Sequence, residues 1–191
     1  MLITVEGLDG AGKTTLITAL ADRLDATVLR EPGGVELSER IRQLVADPNL
    51  NVDPRAEALL YAAARAQLVA EKLKPLLEAN GLVILDRFID SSLAYQGGGR
   101  QLGVRAIKAL NDFGTGGLTP DLTILLRIDP QHGLARIADR DADRLEASGA
   151  EFFERVARTY DELAASDPRF VVIDATLPPD EVLRQALDAI Q

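Results

Sequence analysis

The chain has 191 residues, 47% of them hydrophobic and 27% charged, which argues against a disordered, collagen-like or coiled-coil protein. Twenty-one basic and 30 acidic residues give a net charge of −9, the wrong sign for a protein that binds duplex nucleic acid. With no cysteine and one histidine, disulfides, thiolate chemistry and a multi-histidine metal site within one chain are excluded.

The apolar runs and the first residues bear on cellular location. No apolar run approaches the roughly 20 residues that cross a bilayer. Residues 1–6 lead directly into a glycine-rich loop, which is typical of the start of a fold rather than of a secretory signal. A cytoplasmic protein with no membrane or nucleic-acid partner is therefore expected.

Five short apolar runs predict β-strands. They lack alternation between apolar and polar residues, as is typical of parallel strands buried on both faces. Helical spacing of apolar residues fills the intervals, which indicates an α/β domain on a parallel sheet. Since no repeat or linker divides the chain, residues 1–191 are expected to form one domain. The runs are residues 2–5, 27–29, 82–85, 122–128 and 170–173.

Several helix boundaries are marked in the sequence. Apolar residues at 16, 17, 20 and 24 predict a helix after the first strand. A second helix is predicted to begin at Asp53 and Pro54, to kink at Pro75 and to end near Asn80. Later helices are expected to open at residues 129–130 and 179–180. Glycine-rich residues 97–100 and 114–117 are predicted to be flexible, and the charged residues 136–154 to form solvated helices or a mobile flap.

Residues 7–14 match the phosphate-binding pattern G-x-x-x-x-G-K-[ST] without a mismatch, between a predicted strand and a predicted helix. Glycines there let backbone N–H groups line an anion-sized hollow at the helix N-terminus. Lys13 can reach the β- and γ-phosphates, and Thr14 offers a hydroxyl to Mg²⁺. A glycine-rich turn without a ligand fits this context less well. The expected nucleotide-binding residues are Gly7, Leu8, Asp9, Gly10, Ala11, Gly12, Lys13, Thr14 and Thr15.

A second, weaker motif is the apolar run 82–85 that ends in Asp86, where a nucleoside-triphosphatase fold has its acid beside the metal. A strand-terminal aspartate is also a common cap, but the loop motif favours a metal ligand. The predicted fold is therefore a P-loop three-layer sandwich, with a five-stranded parallel sheet flanked by helices on both faces.

The arginines also have a suggestive distribution. A GTP-binding switch would carry an Asn-Lys-x-Asp segment, and none of the four lysines lies in one. Many arginines follow strand ends or lie in the charged segment, which indicates a local anion site in an acidic protein. These are Arg30, Arg42, Arg65, Arg87, Arg100, Arg136, Arg140 and Arg144, whereas Arg23, Arg40, Arg158 and Arg184 are expected on solvated helix faces.

Over almost its whole length the sequence resembles the thymidylate kinase family, whose members transfer the γ-phosphoryl of ATP to dTMP in dTTP biosynthesis. The similarity is carried by EGLDGAGKTT (residues 6–15), REPGG (30–34), DRF (86–88), SSLAYQGGGR (91–100) and DRLE (143–146) ahead of FF (152–153). The resemblance implies a Mg²⁺- and ATP-dependent dTMP kinase, with direct in-line transfer and no covalent enzyme intermediate.

The same resemblance implies roles on the acceptor side. Asp9 corresponds to the carboxylate near the 3′-hydroxyl of dTMP, and Arg42 and Arg87 to groups that hold the acceptor phosphate. Tyr61 corresponds to the aromatic residue that stacks on thymine, and Arg65, one helical turn on, to the arginine that bonds its carbonyl oxygen. The other implied substrate-binding residues are Glu31, Pro32, Ser91, Ser92, Tyr95, which disfavours ribose, and Gln96. For Tyr61 and Tyr95, ordinary core packing is the alternative.

In this family an arginine from the phosphate loop or from a mobile lid meets the transferring phosphoryl. Residues 8–11 contain no arginine, so a lid at about residues 136–148 is expected to supply it. Arg140 and Arg144 are preferred over Arg136, and His132 is expected to be a cap-region or surface residue. The predicted catalytic residues are Asp9, Lys13, Arg87, Arg140 and Arg144, and the predicted metal ligands are Thr14 and Asp86.

The resemblance also implies a homodimer, and the alanine-rich helix over residues 54–79 could either supply its face or pack internally. Two alternatives remain open. One is a kinase of the same fold acting on dUMP or CMP, and the other is a nucleotide switch or ATPase with no acceptor-dependent turnover.

Overall fold

The computed structural model describes residues 1–136 and 144–190. Five parallel strands form one sheet in the order β2-β3-β1-β4-β5, with the chain crossing over between neighbours. Each strand overlaps the apolar run that predicted it, so the predicted α/β fold with a five-stranded parallel sheet is confirmed. The strands are β1 (Leu2–Gly7), β2 (Ala26–Arg30), β3 (Leu82–Asp86), β4 (Leu122–Arg127) and β5 (Phe170–Asp174).

Helices cover both faces of the sheet. The described helices are α1 (Lys13–Ala21), α2 (Glu36–Ala46), α3 (Pro54–Leu68), α4 (Lys74–Glu78), α5 (Ile89–Ser92), α6 (Val104–Thr115), α7 (Pro130–Arg136), α8 (Ala150–Ser166) and α9 (Pro179–Ile190). Two π-helical segments, Val69–Leu73 and Leu93–Gly99, and a 3₁₀ turn, Glu146–Ser148, complete the described elements. No described helix combines the length and the apolar character needed to span a membrane.

Two apolar clusters hold the three layers together. The larger one includes Leu20 of α1, Ile124 of β4 and Phe153 of α8, and it extends to residues of α9. The second one joins Leu68 and Phe88 to residues of β2 and β3. Fully burying a side chain of this size contributes about 1.5–3 kcal/mol to folding. The central strands are therefore buried on both sides, which explains why their sequences do not alternate.

The predicted helix starts agree with the structure. Asp53 Oδ1 accepts a hydrogen bond from the Arg55 N–H at 2.8 Å, with Pro54 at the first helical position. Asp129 caps α7 in the same way, accepting from the Gln131 N–H at 2.9 Å. His132, in that first turn, is exposed, as expected.

The predicted kink near Pro75 takes the form of a π-helical segment. α3 ends at Leu68, the wider turns of Val69–Leu73 follow, and Pro75 lies at the start of α4. Because proline has no N–H and clashes with the preceding turn, the regular hydrogen-bond ladder cannot continue through it. Asn80, with a positive φ of 58°, then ends the helix and leads into β3.

The prediction that residues 97–100 are flexible is wrong. Gly97 and Gly99 are buried in the π-helical segment Leu93–Gly99, which packs against α8. A Cβ on Gly98 would lie 1.9 Å from Thr159 Oγ1, and one on Gly99 would lie 2.5 Å from Phe152 Cε2. These glycines permit a close approach of two helices rather than motion.

The second glycine-rich stretch is also more ordered than predicted. Gly114 lies within α6, and Gly116, with φ 65°, is the left-handed C-cap that ends it. Of the charged stretch 136–154, residues 137–143 lie outside the described residues, so the expected lid is not described as a whole. The described part holds the 3₁₀ turn Glu146–Ser148 and the start of α8.

Candidate active site

Two adjoining pockets lie at the carboxyl edge of the sheet, where β1, β2 and β3 end. This edge is where open parallel sheets bind ligands. The loop pocket is lined by the glycine-rich loop, Asp86 and Arg136. The α3 pocket is lined by Tyr61 and Arg65 of α3 and by side chains of the Leu93–Gly99 region. Four residues line both pockets: Asp9, Glu31, Arg42 and Arg87.

The glycine-rich loop ends at an uncapped helix. Gly10 and Gly12 have φ values of 79° and 91°, which L side chains rarely adopt. Gly10 also packs so closely on α7 that a Cβ would lie 2.2 Å from the Gly133 carbonyl oxygen. Gly12 caps α1 without a side-chain hydrogen bond, so the first N–H groups of α1 remain available to an anion.

Lys13 is folded back onto this loop. Its Nζ donates to the carbonyl oxygens of Gly7 at 3.2 Å and Leu8 at 2.9 Å, and lies 3.8 Å from Asp9 Oδ1. Burial and the nearby Arg87 lower the Lys13 pKa to about 8, although Asp9 opposes the shift. A phosphate in the loop pocket would favour the charged ammonium form.

Asp86 and Thr14 both line the loop pocket. Asp86 Oδ1 is buried and accepts no hydrogen bond from the described residues. A carboxylate oxygen without a partner among these residues, in a pocket that also contains a hydroxyl group and an anion-sized hollow, suits a hard cation such as Mg²⁺. Within residues 1–136 and 144–190 no group of three or more acidic or histidine side chains forms a metal cage. The site therefore fits an ion that takes its other ligands from phosphate oxygens and water.

Arg87 lies at the junction of the two pockets. Its backbone has a positive φ of 66°, a strained conformation for a residue with a side chain. Its guanidinium donates to Asp9 Oδ1 at 2.7 Å, to the Gly7 carbonyl oxygen at 3.0 Å and to Ser91 Oγ at 3.2 Å. These bonds fix the cation between the glycine-rich loop and the α3 pocket.

Arg42 lies at the same junction but is exposed. Its Nη1 donates to the Pro32 carbonyl oxygen at 3.1 Å. Arg30, which lines only the loop pocket, is held by Glu39 through two bonds of 2.8 and 2.9 Å. Arg42 is thus the less constrained of the two cations and can reach a ligand in either pocket.

Arg65 forms the floor of the α3 pocket. It is buried and makes four hydrogen bonds to the protein. Its Nε donates to Glu31 Oε2 at 2.7 Å, and its Nη2 donates to the Phe88 carbonyl oxygen at 2.9 Å. Its Nη1 donates to both Ser92 Oγ at 2.9 Å and Asn111 Oδ1 at 2.5 Å. One Nη2 proton remains for a ligand, because a guanidinium has five N–H donors.

Glu31, the partner of Arg65, is buried as well. Its Oε1 accepts no hydrogen bond from the described residues. Burial raises the Glu31 pKa to about 7, although Arg65 opposes the shift. The pocket therefore contains a carboxyl group that titrates near neutral pH.

Tyr61 and Tyr95 occupy different environments. Tyr61 is half-buried, lines the α3 pocket and packs against Ile41 and Val45. Tyr95 is buried in the main core, and its hydroxyl lies 3.5 Å from Asp9 Oδ2 at the pocket wall. For both residues, core packing and a place at the pocket coexist rather than exclude each other.

Ser91 is held by a buried carboxylate for which the sequence indicated no role. Glu6 Oε2 accepts from Ser91 Oγ at 2.6 Å and from the Tyr160 hydroxyl at 2.8 Å, while Glu6 Oε1 accepts from the Phe88 N–H at 2.8 Å. Burial and the charge of Asp90 raise the Glu6 pKa. This cluster links β1 to the residues that follow β3.

The three candidate lid arginines are distributed differently. Arg136 lines the loop pocket, and its Nη1 donates to the carbonyl oxygens of Gly10 and Ala175, each at 3.2 Å. Arg144 lies beside the α3 pocket instead, donating from Nε to the Val45 carbonyl oxygen at 2.9 Å. Arg140 lies outside the described residues. Of the two arginines that the structure describes, Arg136 is therefore the one that lines the pocket expected to hold the phosphates, although the sequence favoured Arg144 over it.

Two further residues at the α3 pocket were missed at the level of sequence. Glu57 accepts hydrogen bonds from Gln96 and Arg100, and Asn111 accepts one from Arg65. Glu57 precedes Tyr61 by four residues, so it shares the helix face of Tyr61, and this spacing was the available signal. For Asn111 the sequence contains no such signal, because its partner Arg65 lies 46 residues away in the chain.

Comparison with known proteins agrees with the site. The family model described as thymidylate kinase matches residues 5–186. A thymidylate kinase of Deinococcus radiodurans is 49% identical over 95% of this chain and 92% of its own length, and one of Latilactobacillus sakei is 48% identical over 99% and 94%. The crystal structure of thymidylate kinase from Ehrlichia chaffeensis superposes with a TM-score of 0.82 at 32% identity, covering 100% of this chain and 98% of that one. The chain therefore belongs to the thymidylate kinase family.

Proposed function

We propose that the protein transfers the γ-phosphoryl group of ATP to dTMP, forming dTDP and ADP for dTTP synthesis. The observation that carries the proposal is the meeting of two pockets at Asp9, Arg42 and Arg87. One pocket is built for a polyphosphate and the other for a flat base, and an anion in either one contacts the same cations. Family membership supplies the identity of the two substrates.

On the donor side, the first N–H groups of α1 and Lys13 bind the phosphates of ATP. For this, Lys13 exchanges its hydrogen bonds to the carbonyl oxygens of Gly7 and Leu8 for bonds to the phosphates. Thr14 and Asp86 would hold Mg²⁺, which when bound neutralises phosphate charge. The unpartnered Asp86 Oδ1 supports this assignment.

On the acceptor side, Arg42 and Arg87 hold the phosphate of dTMP and aim one of its oxygens at the γ-phosphorus. Tyr61 stacks on thymine, and Arg65 donates its remaining Nη2 proton to a carbonyl oxygen of the base. Asp9 lies near the 3′-hydroxyl group. The remaining proposed contacts are Glu31, Pro32, Ser91, Ser92, Tyr95 and Gln96.

An arginine must also meet the transferring phosphoryl, because charge neutralisation and alignment provide most of the catalysis in this reaction. We infer that Arg136 is a candidate on the strength of its contact with Gly10 in the glycine-rich loop. Arg140 stays a candidate from the sequence alone. Arg144 would have to leave the Val45 carbonyl oxygen and Glu57 to take this role.

We further propose a homodimer, as the family resemblance implies. Exposed apolar side chains on three helices support it: Leu44 on α2, Leu59 on α3 and Phe113 on α6, the last 90% exposed. Burying such side chains against a second copy is the ordinary way to form a stable interface. A cytoplasmic location is part of the proposal and rests on the sequence expectation alone.

The function is tested by measuring ADP release from ATP and Mg²⁺ with no acceptor and with dTMP, dUMP, UMP, CMP or GMP. The proposal predicts a large increase mainly with dTMP. A stronger response to another monophosphate would keep the mechanism but overturn the assignment of the base. Turnover indifferent to every acceptor would favour an ATPase or switch.

A further inference from the structure

The carboxylate of Glu57 is buried behind the wall of the α3 pocket and is not itself part of the pocket lining. It lies on the first turn of α3, four residues before Tyr61, and its side chain has no exposed surface. Burying a charge in this way is costly unless both oxygens are bound. The partners of Glu57 therefore show what the group is for.

Two of these partners are arginines. Arg100 donates from Nη2 to Glu57 Oε2 at 3.1 Å, and Arg144 Nη2 lies 2.7 Å from the same oxygen. Arg100 also lies over the Phe152 ring, with its guanidinium carbon 4.8 Å from the ring centroid. Guanidinium groups can only donate hydrogen bonds, so the Glu57 oxygens act as acceptors toward both arginines.

The third partner is Gln96, which lines the α3 pocket. Its Nε2 donates to Glu57 Oε1 at 2.9 Å. An amide has one end that donates and one that accepts, and an acceptor-only carboxylate selects the donor end. The side-chain nitrogen and oxygen of Gln96 are similar in size, and the hydrogen bond to Glu57 determines which of the two positions is the NH₂ group.

With its NH₂ group directed at Glu57, Gln96 has its carbonyl oxygen as the free end. No donor among the described residues bonds to that oxygen. The α3 pocket therefore presents an acceptor at Gln96, and this acceptor complements a ring N–H. Thymine and uracil carry such a donor at N3, whereas N3 of cytosine is itself an acceptor.

We propose that Glu57 is a positioning residue that sets the base specificity of the α3 pocket by fixing the Gln96 amide with its acceptor toward the base. Glu57 touches no substrate and acts through Gln96. The inference rests on the proposed function in one respect, namely that the base of the acceptor occupies the α3 pocket.

Glu57→Gln tests the proposal with a nearly isosteric change. The new amide must direct its own oxygen at Arg100 and Arg144, because both are donors only. The NH₂ group of the new glutamine then faces Gln96. The Gln96 amide flips in response, so that its own NH₂ group faces the pocket. The preference for dUMP over dCMP is measured as the ratio of their dissociation constants by calorimetry. This ratio is expected to change roughly tenfold toward dCMP, because one hydrogen-bonding group of the pocket changes from acceptor to donor.

The pair dUMP and dCMP isolates the base edge, because the two differ only at N3 and C4. The matched control is Asp90→Asn, which removes another buried carboxylate paired with an arginine, Arg169. It is expected to lower thermal stability but to keep the dUMP preference. An equal loss of preference in both variants would indicate general loosening and overturn the proposal.

A double-mutant cycle with Gln96→Leu separates action through Gln96 from an independent effect. If Glu57 acts through Gln96, adding Glu57→Gln to Gln96→Leu changes the dUMP preference no further. If the two substitutions instead change the dUMP preference independently, so that their fold-changes multiply, the proposal is overturned. Wild-type protein that binds neither dTMP nor dUMP would instead overturn the proposed function.

If Glu57→Gln does not fold, the wild-type protein still provides a test by NMR. The side-chain NH₂ signal of Gln96, identified by its absence in Gln96→Leu, is expected to be protected from hydrogen exchange before dTMP is added. A freely exchanging Gln96 amide would contradict the proposal.

Discussion

The cations around the junction of the two pockets differ in how much of their hydrogen-bonding capacity is already used. Arg65 has four bonds to the protein, and Arg87 three firm ones, so both act as fixed parts of the wall. Arg42 makes one bond to Pro32 among the described residues and is exposed. Fixed cations define where a ligand lies, and the free one can follow a phosphate as it moves.

Lys13 is predicted to be essential for turnover but not for folding. Lys13→Met keeps the apolar stem and removes the one charge that is buried among the loop carbonyl oxygens. We expect kcat/KM for ATP to fall by at least about 10²- to 10³-fold, the usual cost of removing a group that stabilises developing charge. A circular dichroism melt verifies the fold, and near-normal turnover in a folded variant would contradict the donor-site assignment.

Glu31 gives the folding free energy a pH dependence of definite sign. Its pKa is raised from 4.5 to about 7 by burial, although Arg65 opposes the shift. Between these pH values the unfolded chain has released the proton and the folded protein retains it. Stability therefore falls as the pH rises from about 4.5 to about 7, and this contribution then levels off.

Glu31→Gln removes the titrating group and should flatten that part of the profile, measured by urea unfolding at a series of pH values. The wild-type protein is the control. An unchanged slope in the variant would show that another group is responsible for it.

At the level of elements, the candidate active site depends on close helix packing around the segment Leu93–Gly99. This segment carries Tyr95 and Gln96 into the α3 pocket, while Gly98 and Gly99 lie against α8. The sequence predicted the pocket residues through the family motif. It did not predict that the glycines are packed, because glycine runs in isolation are equally typical of loops, and only the position of α8 decides between the two.

Gly98→Ala is predicted to destabilise the protein by about 1–3 kcal/mol, the cost of overpacking a tight contact. The added methyl group would lie 1.9 Å from Thr159 Oγ1. Gly114→Ala in α6 is the matched control, since a methyl group there would lie 3.4 Å or more from the nearest atoms of α3. It should be neutral or slightly stabilising, because alanine favours the helix. Chemical unfolding of both variants distinguishes them, and equal stabilities would refute the packing argument.

For the whole molecule, the fold was predictable from the sequence to a large degree because the strands are continuous apolar runs and the helix starts carry strong local signals such as Asp53 and Pro54. Which residues line the pockets was predictable where a motif is local, as at Lys13. Supporting contacts were not predictable where the partners are distant in the chain, as for Glu57 with Arg100 and Arg144. Such pairs exist only after the sheet and its helices have come together.

The proposed homodimer is tested by Phe113→Glu, which introduces charge into the most exposed apolar position of α6. Sedimentation velocity is expected to show a dimer for the wild-type protein and a shift toward monomer for the variant, because a buried unpaired charge weakens an interface. Val172→Glu, on the exposed edge strand β5, is the control and should leave the dimer intact. A monomeric wild-type protein, or a dimer insensitive to Phe113→Glu, would contradict this interface.

The central claim is that one chain brings a triphosphate and dTMP together for direct phosphoryl transfer. The most direct measurement is to follow the label from γ-³²P-ATP in the presence of dTMP and Mg²⁺. The account predicts that label appears in dTDP, in equal amount to the ADP formed, with no labelled protein at any time. Label released mainly as inorganic phosphate, or held covalently on the protein, would contradict it.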